Sequence, residues 1–330
     1  MVAENGIFAE KEMETIDWMK KEKRLVRRSA DIIALVELSS IGLNYLLYPL
    51  LRRLPAFAAG SFGAELRELL LYVVVFAVPV AVAAKLCGMT AGELIGPEDP
   101  PASVYLMTIG LTMGWSFAAN FLGVGIEGIL NGFGLTEAAD AYVLPSSGAA
   151  VAVQILSVAI VPPIVEELCY RGLFLRTAAR SMGTWSAIVL TSLAFWLAHY
   201  SIEILPLAFG FGVIGGYIRE RYGSLLPSMC GHLVVNGTYL IVNICWETCG
   251  DRIGATVSAA VSLLEILMGA IGLALFVRSG CLKELADGTF GHRSLLTPKQ
   301  IVTSVLSSVP VWVILLFAIY ITAGGLEVLQ

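Results

Sequence analysis

Long apolar runs separated by short polar segments are the dominant pattern along this chain. A helix needs about 20 apolar residues to cross a hydrocarbon core of about 30 Å, and most of the runs reach that length. The run at 205–218 is short and rich in glycine, and Asp31 and Glu37 interrupt the first run. The pattern predicts an all-α, polytopic transmembrane helix bundle of about eight to nine spans. The candidate runs are 31–51, 69–88, 104–130, 150–180, 184–203, 205–218, 225–246, 256–277 and 301–324.

The composition supports a membrane protein and excludes an ordinary soluble domain. Of 330 residues, 57% are hydrophobic and 14% are charged, and the mean hydropathy is +0.80. A typical soluble domain has about a quarter of its residues charged. The six cysteines show no C-x-x-C spacing, so we interpret them as small core residues rather than metal ligands. We expect membrane lipids as partners and no nucleic acid.

The positive residues predict the orientation of the chain. With the N-terminus inside, sixteen Lys and Arg residues fall on inside segments, and only Arg52, Arg53, Arg67 and Arg252 fall outside. Cytoplasmic segments of membrane proteins carry such an excess of positive charge. We therefore expect an integral protein of a bacterial plasma membrane with a cytoplasmic N-terminus. The interpretation of the first apolar run as a span stays open at this stage.

The same pattern divides the chain into four parts. A charged cytoplasmic segment covers residues 1–30, and N-terminal transmembrane helices cover 31–148. A helical core covers 149–246. The remainder, 247–330, contains C-terminal transmembrane helices and a cytoplasmic loop.

Charged side chains interrupt the fourth apolar run. Glu166, Glu167 and Arg171 lie at membrane depth, where ionisable groups are expensive and usually mark function. Pro162-Pro163 lies one turn earlier. Prolines kink a helix and free backbone carbonyls, which protein groups or cavity water must then satisfy.

Helix arithmetic places Glu166 and His199 at the same depth. Glu166 lies 16 residues before a turn near Met182, and His199 lies 17 residues beyond it. At 1.5 Å per residue, both lie roughly 24 Å from the turn. A carboxylate and an imidazole on adjacent antiparallel helices would thus form a site.

Three pairs of polar or aromatic residues show i, i+4 spacing and therefore share a helix face: Glu167 with Arg171, Phe195 with His199, and His232 with Asn236. Glu167 and Arg171 are also consistent with a buried structural ion pair. His232 and Asn236 are also consistent with polar contacts that hold helices together. Four polar groups lie at compatible depths and together favour a site: Glu166, His199, His232 and Asn236.

Taken in order, Glu166-Glu167-x-x-x-Arg171, Phe195-x-x-x-His199 and His232-x-x-x-Asn236 resemble the motifs of the CAAX prenyl protease and bacteriocin-processing (CPBP) family of intramembrane proteases. The glycine-rich segment that begins at Gly210, followed by Gly223-Ser-Leu-Leu-Pro, is similar to another region of that family. The resemblance covers roughly residues 150–245.

The resemblance implies a catalytic core of four helices and an endopeptidase that hydrolyses a peptide bond in the membrane. By this resemblance, Glu166 activates water with the help of His199, and His232 and Asn236 stabilise the oxyanion. Glu167, Arg171 and Phe195 are supporting residues. The implied substrate is a membrane-associated, prenylated or leader-peptide protein.

Three alternatives remain open on the sequence alone. His199, His232 and Glu166 could ligate zinc, although the chain lacks H-E-x-x-H, and we favour a mechanism without a metal or other cofactor. A transporter would use the same intramembrane charges to bind or relay ions. A non-catalytic immunity or partner protein would use them as scaffolding. The sequence leaves the oligomeric state, the substrate and the cleavage site undetermined.

Overall fold

The computed structural model describes residues 2–51, 59–138 and 142–328, with side chains from residue 16 onward. Within these ranges the protein is a bundle of helices with one two-stranded ribbon, β1 paired antiparallel with β2. The all-α fold is therefore confirmed. The elements are α1 Val2–Leu51, α2 Phe62–Leu86, α3 Ala91–Ile95, α4 Ala102–Gly132, β1 Leu135–Glu137, α5 Gly148–Met182, α6 Thr184–Leu197, α7 Leu205–Tyr222, α8 Leu226–Cys249, α9 Asp251–Arg278, α10 Cys281–Ala286, α11 Pro298–Val305, α12 Val309–Gly324 and β2 Leu326–Val328.

Six of the described helices are long and apolar enough to cross a membrane: α1, α2, α4, α5, α8 and α9. A seventh is obtained if α11 and α12, which meet at an angle of 78°, form one broken span. Helix α6 has only 14 residues, and α7 ends in the charged Arg219-Glu220-Arg221. The protein is thus a polytopic membrane protein, while the predicted count of eight to nine spans is not confirmed.

Helices α4 and α9 pack closely because glycines face one another. A Cβ atom on Gly110 would lie 2.4 Å from the backbone oxygen of Met268, and one on Gly114 would lie 2.6 Å from the Cα atom of Gly269. Small residues at four-residue spacing let membrane helices approach until their backbones touch. This contact joins α4 and α9, which both line a cavity beside Asn236.

One end of the bundle gathers several of the segments that carry the predicted inside charges. Ser29 of α1 contacts Ser181 at the end of α5, with 3.1 Å between the hydroxyl oxygens. Arg219 of α7 donates to the backbone oxygen of Glu93, in α3, at 3.1 Å. These contacts place the basic ends of α5 and α7 beside the α2–α4 connection. Arg52 and Arg53, two of the four positive residues that the prediction assigns to outside segments, are not among the described residues.

The predicted fifth span, 184–203, is helical only as far as Leu197. The chain then turns, and Tyr200 adopts a positive φ of 53°. Glu137 of β1 stabilises the turn, because its carboxylate accepts the Ser201 hydroxyl at 2.6 Å and the backbone N–H of Ile202. His199 therefore lies in a turn beyond the end of α6 rather than on the helix, which corrects the expectation.

Candidate active site

The proline pair of α5 creates a hydrogen-bond acceptor at the site. The carbonyl of Val158 would normally bond the N–H of residue 162 in an α-helix or of residue 163 in a π-helix, and both are prolines. The helix is π-helical over Ile155–Ile160 at this point. The side-chain amide of Asn236, from α8, donates to the Val158 oxygen at 3.1 Å instead. The fold thus uses the freed carbonyl to orient Asn236.

A second π-helical segment, Leu168–Phe174, begins directly after the two glutamates. Such segments are rare, and they often occur at functional sites. Cys169 to Phe174 are all buried within it. The segment therefore places Tyr170 and Arg171 inside the bundle, one turn after Glu166 and Glu167 along α5.

Glu167 is fully buried and is held by three polar partners. Its carboxylate lies 2.8 Å from Arg171 Nη1, 3.3 Å from His232 Nδ1 and 2.6 Å from Ser228 Oγ, which donates to it. A buried carboxylate is stable only when it is paired and hydrogen-bonded in this way. The structure brings Glu167 and Arg171 together as the spacing predicts. It adds Ser228, one turn before His232 on α8.

Aromatic rings enclose Arg171. Its guanidinium carbon lies 4.5 Å from the ring centroid of Phe195 and 5.2 Å from that of Phe211. Cations bind favourably to aromatic faces, especially where water is excluded. A Cβ atom on Gly215 would lie 3.2 Å from Arg171 Nε and 2.4 Å from Ser228 Oγ. The glycine-rich α7 therefore gives the ion-pair cluster its room.

His232 lies between the two glutamates. Its Nδ1 faces Glu167, and its Nε2 lies 3.6 Å from the nearer carboxylate oxygen of Glu166. Phe211 packs against the imidazole with 4.5 Å between ring centroids. The imidazole that contacts Glu166 is therefore that of His232, whereas helix arithmetic pairs Glu166 with His199.

Glu166 is held less tightly than Glu167, and its side chain is 17% exposed. The Tyr72 hydroxyl, from α2, donates to its other oxygen at 3.1 Å. Sequence reasoning missed Tyr72, because the only signal is one hydroxyl within the apolar run 69–88. Ser228 could have been found, since it precedes His232 and Asn236 at the same four-residue spacing.

His199 reaches the site from the turn after α6. Its Nδ1 lies 2.7 Å from the backbone oxygen of Phe195, which can only accept, so Nδ1 carries a proton and Nε2 is the ring nitrogen left for other partners. The ring packs against Phe195 with 4.9 Å between centroids. The Phe195 ring thus contacts both Arg171 and His199.

Two cavities meet at His199 and Val158. The first, of about 570 Å³, is lined by Glu166, Tyr72 and His199. The second, of about 690 Å³, is lined by Asn236, His199 and the buried Glu265 of α9. Glu166 and Asn236 therefore line different cavities, His199 lines both, and each volume is large enough for several side chains.

The described residues contain no group of three or more His, Cys, Asp and Glu side chains arranged to hold a metal ion. The alternative zinc set of Glu166, His199 and His232 does not form such a group. His199 has its Nδ1 committed to a backbone carbonyl, and His232 has its Nδ1 against Glu167. Both imidazoles are thereby oriented through their Nδ1 atoms, as catalytic and metal-ligating histidines alike are.

Comparison with known families agrees with the motifs. Residues 148–238 match the family model of the type II CAAX prenyl endopeptidase, Rce1-like. This match confirms the resemblance over that segment and supports CPBP family membership. No curated protein and no solved structure matches the chain.

Proposed function

From this family relationship, we propose that the chain is an intramembrane endopeptidase that uses Glu166 to activate water without a metal. The family match supports protease activity in general and membrane-associated protein substrates. The observation that carries the finer proposal is that Glu166 and His199 line one cavity, while His232 Nε2 lies 3.6 Å from Glu166 and Asn236 lines the second cavity together with His199. A candidate base, a group that can hold water and two candidate oxyanion donors are thus grouped around Glu166 and His199.

In the proposed reaction, Glu166 takes a proton from a water molecule that His199 Nε2 holds by accepting its other hydrogen. The water oxygen forms a bond to the carbonyl carbon, and the carbonyl oxygen becomes an oxyanion. The tetrahedral intermediate then breaks its C–N bond, and protonated Glu166 returns the proton to the leaving amine. General acid–base catalysis of this kind contributes about 10²- to 10⁴-fold.

The oxyanion donors of the proposal are His232 and Asn236. One N–H of the Asn236 amide bonds Val158, and the other remains for the oxyanion. His232 Nδ1 faces Glu167, so Nε2, which lies beside Glu166, is the ring nitrogen assigned to the oxyanion in this proposal. Donors fixed in advance at a developing charge act most strongly where water is excluded. Glu167, Arg171 and Phe195 keep these donors in place.

The proposal is tested with purified protein in lipid and a peptide library with hydrophobic, lipidated or leader-like ends. Glu166→Gln keeps the shape of the side chain but removes the base, so we expect kcat to fall at least about 10²-fold. Glu247→Gln, the same change at an exposed residue at the end of α8, should leave kcat unchanged. Both variants should unfold at the wild-type temperature.

Two results would contradict the proposal. Glu166→Gln with wild-type cleavage would remove Glu166 as the base. Glu166-dependent ion flux in liposomes without proteolysis would indicate a transporter. A non-catalytic partner protein would bind the peptides and cleave none of them.

Metal independence is a separate prediction. Zinc chelators should leave kcat unchanged, because the proposed water activation requires only Glu166 and His199. Metal analysis of the active preparation checks this result. A loss of activity on chelation that added zinc restores would overturn this part of the proposal.

A further inference from the structure

Glu37 is a buried carboxylate that the proposed reaction does not use. It lies in the membrane-spanning part of α1, is only 7% exposed, and lines the first cavity together with Glu166. A charge at membrane depth is costly and usually has a functional reason. Glu37 lies outside the segment 148–238 that matches the family.

The partner of Glu37 is a residue of the catalytic helix. The Tyr170 hydroxyl, from the π-helical segment of α5, donates to Glu37 Oε1 at 2.6 Å. This length is within the ordinary range of an O–H···O hydrogen bond. Tyr170 is 1% exposed, so the bond lies in the packed interior at the edge of the first cavity.

The ring of Tyr170 is the centre of an aromatic cluster that reaches the catalytic groups on two sides. On one side it packs against Phe195, with 4.9 Å between centroids, and the Phe195 carbonyl holds His199. On the other side it packs against Phe76 at 6.3 Å. Phe76 stacks on Tyr72 at 5.7 Å, and Tyr72 donates to Glu166.

We propose that Glu37 is a positioning residue of the active site, which fixes Tyr170 and through its ring the orientation of both His199 and Glu166. The inference rests on the proposed function. The hydrogen-bond acceptor at position 37 is the required feature, because the effect passes through the Tyr170 hydroxyl. Loss of the acceptor should therefore disturb the geometry of the reacting groups more than the binding of substrate.

The test uses Glu37→Gln, Glu37→Leu, Tyr170→Phe and the double variant that combines Glu37→Leu with Tyr170→Phe, assayed on a peptide that the wild type cleaves. Glu37→Gln keeps an acceptor oxygen and should retain kcat within about threefold, whereas Glu37→Leu and Tyr170→Phe should each lower kcat about tenfold. KM should not change. The double variant should be no worse than either single variant, because all three remove one bond. Ser39→Ala is the control, since Ser39 lies on the same helix outside the first cavity and its hydroxyl bonds its own backbone at Leu35.

Several results would overturn the inference. Glu37→Gln as slow as Glu37→Leu would show that the charge, and not the acceptor, matters. Wild-type kcat in Tyr170→Phe, or losses that multiply in the double variant, would remove the coupling. A fall in kcat that follows the fall in unfolding temperature across the series would indicate a structural role only.

Failure of this inference is distinguishable from failure of the proposed function. If the wild type cleaves and Glu166→Gln does not, the protease stands whatever the Glu37 series shows. If the wild type cleaves no peptide, the function fails together with the positioning role. The Glu37–Tyr170 contact itself can still be checked by the double-mutant cycle in thermal unfolding.

Discussion

At the scale of single residues, the fold gives the adjacent carboxylates of α5 opposite environments. Consecutive residues of a helix point about 100° apart, so Glu167 faces the core while Glu166 faces the first cavity. Glu167 is locked by Arg171, Ser228 and His232. Glu166 has one hydrogen bond from Tyr72 and keeps contact with the cavity. A general base must have access to water in a cavity, whereas a structural carboxylate must have fixed polar partners.

Tyr72→Phe tests the hydrogen bond that Glu166 receives among the described residues. Without the hydroxyl, the carboxylate can rotate away from the water it must deprotonate. A hydrogen bond to a charged group contributes about 1.5–3 kcal/mol, so we expect kcat to fall about 10- to 100-fold. Single-turnover cleavage measures the effect. Tyr320→Phe, at an exposed position on α12, should behave as wild type, and an equal loss there would argue against a specific role for Tyr72.

At the scale of elements, the prolines of α5 leave a backbone carbonyl without a donor in its own helix, and the neighbouring helix α8 supplies one. Pro162 and Pro163 deny Val158 a backbone donor in either helical pattern, and α8 supplies Asn236 in their place. The sequence predicts that protein groups or water satisfy the freed carbonyls, and the structure identifies one of them. Gly215 of α7 admits Arg171 and Ser228 at close range.

Pro162→Ala tests this use of the proline. The new N–H can bond the Val158 carbonyl within the helix and so competes with Asn236. We expect kcat to fall about tenfold while the unfolding temperature stays equal or rises, because a proline inside a helix costs about 3 kcal/mol. Pro310→Ala at the start of α12 is the control, since proline is tolerated in the first turn. A wild-type kcat in Pro162→Ala would show that Asn236 needs no freed carbonyl.

At the scale of the molecule, the site is walled by helices from both inside and outside the segment that matches the family. Helices α5 and α8 and the turn after α6 supply the proposed catalytic groups, and α1 and α2 supply Glu37 and Tyr72. The domain division predicted at residue 30 falls within the continuous helix α1, which runs from Val2 to Leu51. Glu37 and Tyr72 of these N-terminal helices line the first cavity together with Glu166.

The predicted orientation is tested by labelling intact cells with a thiol reagent that does not cross the membrane. Cys249 is exposed at the end of α8 and should react from outside. Asp287→Cys, in the exposed segment after α10, should react only after the cells are permeabilised, because that segment carries predicted inside charges. Labelling in the reverse order would invert the topology.

The sequence was sufficient to predict the helical bundle and the pairs at i, i+4, because both follow from periodicity along one chain. It could not predict which imidazole meets Glu166. Helix arithmetic assumes regular rise, whereas α5 contains two π-helical segments and α6 ends at Leu197. Each departure changes the depth or the direction of the side chains that follow it. Together they place His232 in contact with Glu166 and His199 in the turn beyond α6.

The sequence by itself determined the membrane class, the ordered motifs and the family to which residues 148–238 point, since composition and spacing are properties of the linear chain. Tertiary structure alone decided how Glu166 and Glu167 differ, that Asn236 satisfies Val158, and that Glu37 and Tyr72 belong to the site. These depend on contacts between segments up to 133 residues apart. Local periodicity carries no information about such contacts, because they arise from the packing of helices whose neighbours are chosen by shape and by the need to satisfy every buried polar group.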